Sequence, residues 1–167
     1  FRDITNAVVA RTLIATVVPY SAMGDNIPAI KISQEVPIEA INCLLACMNS
    51  FVVDYIARTK VGGLHLKLFV LKQLPILVPD VFMNEYPWYS GRVGEWITAR
   101  TLELTYTSND LSQYASECGH KGAPFKWDAV RRTELRSELD AAFFHIYGIG
   151  REDAEYILDT FRIIRER

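Results

Sequence analysis

An apolar stripe between residues 38 and 56 constrains the fold of this chain more than any other feature of its sequence. Apolar side chains recur in steps of three and one, at positions 38, 41, 44, 45, 48, 51, 52, 55 and 56. That spacing lines one face of an amphipathic helix. Pro37 suits its first turn, and Arg58 and Lys60 suit its last turn, where cations complement the carbonyl end of the helix dipole. We therefore predict one helix of about 22 residues as the organising element of the fold.

The segments on both sides of this helix have the composition of strands. Residues 11–19 are β-branched and apolar and end at Pro19, which predicts a buried strand. Residues 29–33 predict a second short strand. Gly62-Gly63 predicts a left-handed cap that ends the helix, and residues 64–71 predict a third strand after it. A small mixed, curved sheet packed on the long helix is the expected arrangement.

The second half of the chain has helical patterns instead. Helices are predicted within residues 96–106, 108–117, 126–148 and 151–161. The predicted fold class is therefore α+β, with an α/β part at residues 1–80 and a mainly helical part at residues 81–167 packed on it. The loop at residues 79–91 carries Tyr86, Trp88 and Tyr89, for which two interpretations are open: a packed surface flap, or aromatic rings that stack on a base.

Composition limits the function classes. The 167 residues are 50% hydrophobic, enough for one core, and no apolar run is long enough to span a bilayer, so we expect a cytoplasmic protein without membrane contact. The chain starts with Phe1 rather than Met, and we expect it to be part of a longer polypeptide. A net charge of −2 argues against DNA binding by the surface as a whole, because DNA-binding domains usually carry a positive excess.

No pattern of catalytic residues is present. The sequence lacks a GxGxxG loop, a GxxxxGK[ST] loop, a GxSxG elbow and an HExxH pair. Cys43 and Cys47 are four residues apart, but no second cysteine or histidine pair completes a metal site, and reduced core thiols are the favoured interpretation. We therefore expect neither catalysis nor a bound metal or cofactor within these residues.

Five stretches together resemble a known family. They are "FRDITNAVVARTLIATVVP", "CMNSFVVDYIARTKVGGLHLKLFVLKQLPILVP", "LELTYTSNDL", "PFKWDAVRRTELRSELDAAFFHIYGI" and "REDAEYILDTF". In this order they are similar to the carboxy-terminal part of large adenine-specific DNA methyltransferases, namely the type IIG restriction–modification enzymes and the PglX-like methyltransferases of BREX phage defence. The central part also resembles target-recognition domains of type I specificity subunits.

The resemblance implies that DNA recognition and catalysis belong to different domains of the parent protein. Residues 1–80 would be a target-recognition domain for double-stranded DNA. An amino-terminal domain of the same chain would bind S-adenosylmethionine, flip the adenine and methylate it. The Asn-Pro-Pro-Tyr/Phe motif of that domain is absent here. The resemblance thus implies an enzyme as the parent protein, with or without endonuclease activity, and a non-catalytic fragment.

Basic residues around the predicted glycine turn are the candidate DNA contacts. The candidates are Arg58, Lys60, Gly62, Gly63, His65 and Lys67, with Arg2 and Arg11 expected near by. Such side chains either contact phosphates, read guanine edges, or remain solvated charges around a helix cap. The alternative function is a protein-interaction module that docks onto the catalytic domain or onto other phage-defence subunits. A basic concave surface would favour DNA recognition, and an exposed apolar patch would favour docking.

Overall fold

The computed structural model describes residues 1–161 and residue 163, and these residues form an all-α fold. The helices are α1 (Ile38–Asn49), α2 (Phe51–Lys60), α3 (Leu68–Leu71), α4 (Val93–Thr105), α5 (Ser112–Glu117), α6 (Ala129–Ile146) and α7 (Arg151–Asp159), with 3-10 turns at Pro79–Met83 and Asn109–Leu111. Within the described residues no strand forms, and only two isolated antiparallel bridges occur. The predicted α+β fold with a small curved sheet is therefore wrong.

The first predicted strand does not form: several backbone groups of residues 11–19 bond to helix side chains, and the Ile14 carbonyl accepts from the Arg2 N–H at 3.0 Å. The Asn49 amide accepts from the Ala15 N–H at 3.1 Å and donates to the Ala15 carbonyl at 3.0 Å, as a neighbouring strand would. The buried Asp54 carboxylate accepts from the N–H groups of Thr12 at 2.9 Å and Leu13 at 2.8 Å. Because α1 and α2 satisfy these backbone groups, the segment needs no second strand.

The other two predicted strands also fail to form. Residues 29–33 have no regular structure. The segment after the glycines makes one bridge to the amino-terminal segment, where Thr5 N–H donates to the Leu64 carbonyl at 3.0 Å and Leu66 N–H donates to the Asp3 carbonyl at 2.8 Å. The chain then turns into the single turn of α3, so the pairing ends after two hydrogen bonds.

The long predicted helix is interrupted at Ser50. α1 and α2 meet there at an angle of 56°. Ser50 is extended, and its hydroxyl accepts from the Val53 N–H at 3.3 Å, which caps the start of α2. Among the described residues, no single helix is long and apolar enough to cross a membrane; only the bent pair α1 and α2, taken together, passes on length and composition.

The main hydrophobic core lies where α1, α2, α4 and α6 meet. Its fully buried members include Cys43, Val53, Val93, Ile97 and Phe143. These residues come from both sides of residue 80, so the two parts share one core. The division at residue 80 remains a prediction.

The helices of the second half follow the sequence pattern closely. α5, α6 and α7 each lie within a predicted helical range, and α4 begins at Val93, three residues before its predicted start. Leu135 and Leu139, two of the apolar positions of α6, are buried. α6 ends at Ile146, and Gly148, two residues further, has a φ of +67°, the left-handed conformation that glycine adopts without strain.

Candidate nucleic-acid interface

Six of the eight candidate residues, all except Arg2 and Arg11, lie in a stretch that we call the basic segment, residues 55–79. It contains Arg58, Lys60, Lys67 and Lys72 and no aspartate or glutamate. It runs from the second half of α2 through the exposed glycines and α3 to the start of the next turn. Lys60, Lys67 and Lys72 are exposed. The local charge is therefore positive, although the chain as a whole has a charge of −2.

Two of the predicted residues meet on one carboxylate. His65 Nδ1 lies 2.7 Å from Asp3 Oδ2, and Lys67 Nζ lies 3.2 Å from the same oxygen. Asp3 is buried, while both basic side chains are about half exposed. Asp3 therefore fixes the position of two basic groups at the surface.

The pKa of Asp3 reflects this arrangement. Burial alone raises the pKa of a carboxyl group, because it penalises the charged form. The hydrogen bonds from His65 and Lys67, together with their charges, outweigh that effect and lower the pKa of Asp3 below its usual value. The ionised carboxylate is thus the form that the fold stabilises.

Lys60 and Lys72 have looser surroundings. Lys60 Nζ donates to the Gln73 side chain at 3.3 Å, across from the end of α2 to the turn after α3. Among the described residues, no carboxylate lies within 4.0 Å of the amino group of either lysine. Lys60 and Lys72 are therefore the cations of the basic segment that are most available to an anionic partner.

Arg58, by contrast, holds the fold together. Its guanidinium donates to the carbonyls of Val9 at 2.8 Å and Thr160 at 3.2 Å. The same group lies 4.0 Å from the centre of the Phe161 ring, within cation–π range. These contacts join α2 to the amino-terminal segment and to the end of α7.

Arg11 and Arg2 also make internal contacts. Arg11 forms a 2.6 Å ion pair with Asp140 and lies 3.5 Å above the Phe51 ring. Arg2 donates to the Arg11 carbonyl at 2.7 Å and to the Thr5 hydroxyl at 3.2 Å. The structure thus separates the predicted set into His65 and Lys67, joined by Asp3, a more loosely held Lys60, and three arginines engaged in tertiary contacts.

The glycine pair is open but has an ordinary conformation. Gly62 and Gly63 are exposed, and a Cβ atom built on either would meet nothing within 4 Å. Neither has a positive φ, since the glycines with positive φ among the described residues are Gly91, Gly119 and Gly148. The expected left-handed cap at Gly62-Gly63 is therefore wrong: the residue after α2, Val61, is extended instead.

Sequence reasoning missed two features of this surface. Asp3 lies 62 residues from His65 in sequence, and no local pattern signals their contact. The second feature is a group of exposed apolar side chains, Leu64, Leu68 and Phe69, whose exposed fractions are 65%, 56% and 66%. The alternation of residues 64–71 is imperfect, and the unbroken apolar run at residues 68–71 was the available signal, because a half-buried strand would alternate throughout.

The aromatic loop is a packed flap. The Trp88 ring stacks on Tyr86 with centroids 5.6 Å apart and meets the edge of Trp96 at 5.3 Å. Tyr86 and Trp88 are partly buried against the main core. These rings already have partners inside the protein, which favours the first of the two interpretations.

The two helix cysteines are core thiols. Cys43 and Cys47 are buried, and neither forms a disulfide. Burial, assisted by the charge of Glu39, raises the pKa of Cys43 to about 12. Burial also raises the pKa of Cys47, against the hydrogen bonds it receives. Both groups are therefore protonated at neutral pH.

Comparison with protein-family models, curated proteins and solved structures gives no match to this chain.

Proposed function

We propose that this chain is the sequence-recognition fragment of an adenine-specific DNA methyltransferase of the type IIG or PglX-like class. The observation that carries the proposal is the basic segment, which presents exposed lysines, an open glycine pair and no carboxylate of its own. The sequence resemblance supplies the class of the parent enzyme. Adenine methylation with S-adenosylmethionine would belong to another domain of that enzyme.

The geometry suggests how the basic segment would bind a DNA duplex. Lys60 and Lys72 would pair with backbone phosphates, which sets the position of the protein on DNA. The Gly62-Gly63 backbone leaves space for close approach. Asp3 would hold His65 and Lys67 in place at the protein surface, so fewer side-chain rotamers would need to be ordered when DNA binds.

Charge reversal at Lys60 and Lys72 tests this proposal. The variant K60E/K72E removes two phosphate contacts and adds repulsion, so we expect DNA affinity to fall at least about tenfold at low salt. The slope of log affinity against log salt should become shallower by about two. Lys67 is left intact, because a glutamate there would face Asp3 and disturb the fold.

The matched control is K121E/K126E, which makes the same charge change at two exposed lysines outside the basic segment. Gel-shift assays and fluorescence anisotropy with a duplex oligonucleotide would compare the two variants, after circular dichroism has shown that both are folded. Equal affinities for the two variants would contradict the proposal, and so would an unchanged salt slope in K60E/K72E.

A second candidate function is docking onto the methyltransferase domain of the parent chain. The exposed apolar side chains of Leu64, Leu68 and Phe69 favour it, because large apolar groups clustered in one short exposed segment are typical of interaction sites. The variant L68S/F69S should lose binding to that domain in a pull-down with the separately expressed domain, and keep its DNA affinity. Retained binding to the domain would exclude this surface as the docking site.

A further inference from the structure

A cavity of about 320 Å³ lies away from the basic segment, between residues 11–16 and the helices α1, α4 and α6. Leu13, Leu45, Leu104 and Leu139 contribute to an apolar lining. Its volume falls in the range of small-molecule sites, which are mostly apolar with a few polar groups that fix the ligand.

Arginines concentrate positive charge in this cavity. Arg11, Arg132 and Arg136 line it, together with one carboxylate, Asp140. Asp140 is already paired with Arg11 at 2.6 Å, so the charge of that carboxylate is balanced within the protein. The charges of Arg132 and Arg136 are not balanced in this way, because among the described residues no carboxylate lies within 4.0 Å of either guanidinium.

Arg132 is held in place before any ligand arrives. Its Nη1 donates to the Leu104 carbonyl at 2.9 Å, and its guanidinium lies 3.9 Å above the Trp127 ring. Its buried Nε has no hydrogen-bond partner. Arg132 and Arg136 are four residues apart on α6, so their side chains are neighbours on the helix surface. Burial, and after it the charge of Arg136, lower the pKa of Arg132.

A buried hydroxyl on the cavity wall also lacks a partner. Thr101 is 3% exposed, lines the cavity, and its Oγ1 makes no hydrogen bond. A buried hydroxyl without a partner costs free energy, and native structures rarely leave one unpaired without a reason. A ligand with acceptor oxygens would satisfy this hydroxyl together with the arginine N–H groups.

We propose that this cavity binds a small organic oxyanion, that is, a carboxylate or phosphate joined to an apolar body. The guanidinium groups of Arg132 and Arg136 bind the anionic group, since arginine forks match the geometry of both oxyanions. The Thr101 hydroxyl donates to one of its oxygens, and the leucine side chains cover the apolar body. This site is separate from the DNA surface and does not depend on the proposed function.

Phenyl phosphate is the main probe, and benzoate is its carboxylate counterpart. Inorganic phosphate and phenol, the two halves of phenyl phosphate, are the comparison ligands. Titration is followed by calorimetry and by tryptophan fluorescence, because Trp127 contacts Arg132. We expect phenyl phosphate or benzoate to bind the wild-type protein with saturation, and each half alone to bind at least about tenfold more weakly. Absence of saturable binding by both intact probes overturns the proposal, and so does equal binding of phenyl phosphate and phenol.

Two variants test the assigned contacts. R136Q removes a charge-assisted contact at an exposed side chain, and we expect about a tenfold or greater loss of affinity for the better of the two intact probes. Its control is R151Q, the same change at an exposed arginine of α7, which should bind like wild type. T101V keeps the side-chain shape and removes the unpaired hydroxyl, so it should weaken binding without lowering the melting temperature. R136Q affinity equal to that of R151Q overturns the assignment.

Discussion

At the scale of single residues, a buried carboxylate organises the surface proposed to bind DNA. The Asp3 carbonyl accepts the Leu66 N–H, and the Asp3 carboxylate contacts His65 and Lys67. One residue thus fixes both the path of the chain after the glycines and the position of two basic groups. A positively charged surface that is fixed in this way depends on the ionisation of that carboxyl group.

The variant D3N should therefore lose stability in a pH-dependent way. The pKa of Asp3 is lower in the folded state than its ordinary value of 3.8, so its ionisation stabilises the fold above pH 3.8. That contribution is lost as the pH falls through the folded-state pKa. Chemical denaturation of wild type and D3N from about pH 5 to about pH 2 should give a difference in unfolding free energy that shrinks below about pH 3.8.

The control for D3N is D25N, which alters an exposed carboxylate in the turn at residues 24–27. It should show no such pH-dependent difference from wild type. A difference between wild type and D3N that stays constant down to the lowest pH would contradict the assignment of the stabilising interaction to the ionised Asp3.

At the scale of secondary-structure elements, the period of the apolar residues predicted where helices form, but it did not predict where a helix is interrupted. The stripe at residues 38–56 predicted helical structure there, but it located the buried side only in part. Leu45, Met48, Phe51 and Val52 of the stripe are buried, whereas the most deeply buried residues of the two helices lie outside it: Asn42, Cys43, Cys47, Val53, Asp54 and Ala57. The break at Ser50 was missed because its cause lies partly outside the stripe: Asp140 of α6 accepts the Phe51 N–H at 2.7 Å, next to the cap made by Ser50 itself. The predicted strand at residues 11–19 failed for a similar reason, because Asn49 and Asp54 replace a partner strand.

Removal of the cap at Ser50 should destabilise the protein. S50A loses the hydrogen bond to the Val53 N–H and the one donated to the Cys47 carbonyl at 2.8 Å. We expect a loss of about 1 kcal/mol in unfolding free energy, measured by urea denaturation. S137A, at an exposed position of α6, is the matched control and should stay within about 0.5 kcal/mol of wild type. An S50A protein as stable as S137A would show that the bend does not need its cap.

A methyl group added at Gly148, just after α6, should destabilise the protein. G148A places a side chain at a φ of +67°, and we expect a loss of about 1 kcal/mol. G63A serves as the control, because Gly63 has no positive φ and open space around it. Thermal unfolding of the two variants would measure the difference, and equal melting temperatures would argue against the left-handed end of α6.

At the scale of the whole molecule, one core joins the two halves that the sequence suggested. Positions 55–79 could be recognised from the sequence as basic, because the charge pattern is local. The sequence could not reveal that Arg58, Arg11 and Arg2 are engaged in tertiary contacts, since only packing brings the Thr160 carbonyl, Asp140 and the Arg11 carbonyl to them. The local part of the candidate site was thus predictable, and its long-range part was not.

Truncation of the Phe143 ring should destabilise both halves together. Phe143 of α6 is fully buried in the main core, which also contains residues of α1 and α2, and its ring centroid lies 6.3 Å from that of Phe82. F143A should lose about 3–5 kcal/mol of unfolding free energy, and tryptophan fluorescence and circular dichroism should report one coincident transition. F69A, the same change at an exposed ring, should cost less than about 0.5 kcal/mol. Two separate transitions in wild type would show that the halves unfold independently.

The contact between Asp140 and the start of α2 has a consequence for how the chain assembles. The first N–H of α2 finds its acceptor 89 residues further along the chain. We therefore expect α2 to gain its full stability only when α6 is docked against it. In hydrogen-exchange measurements the Phe51 amide should exchange with the same opening free energy as the buried turns of α6, since releasing one exposes the other.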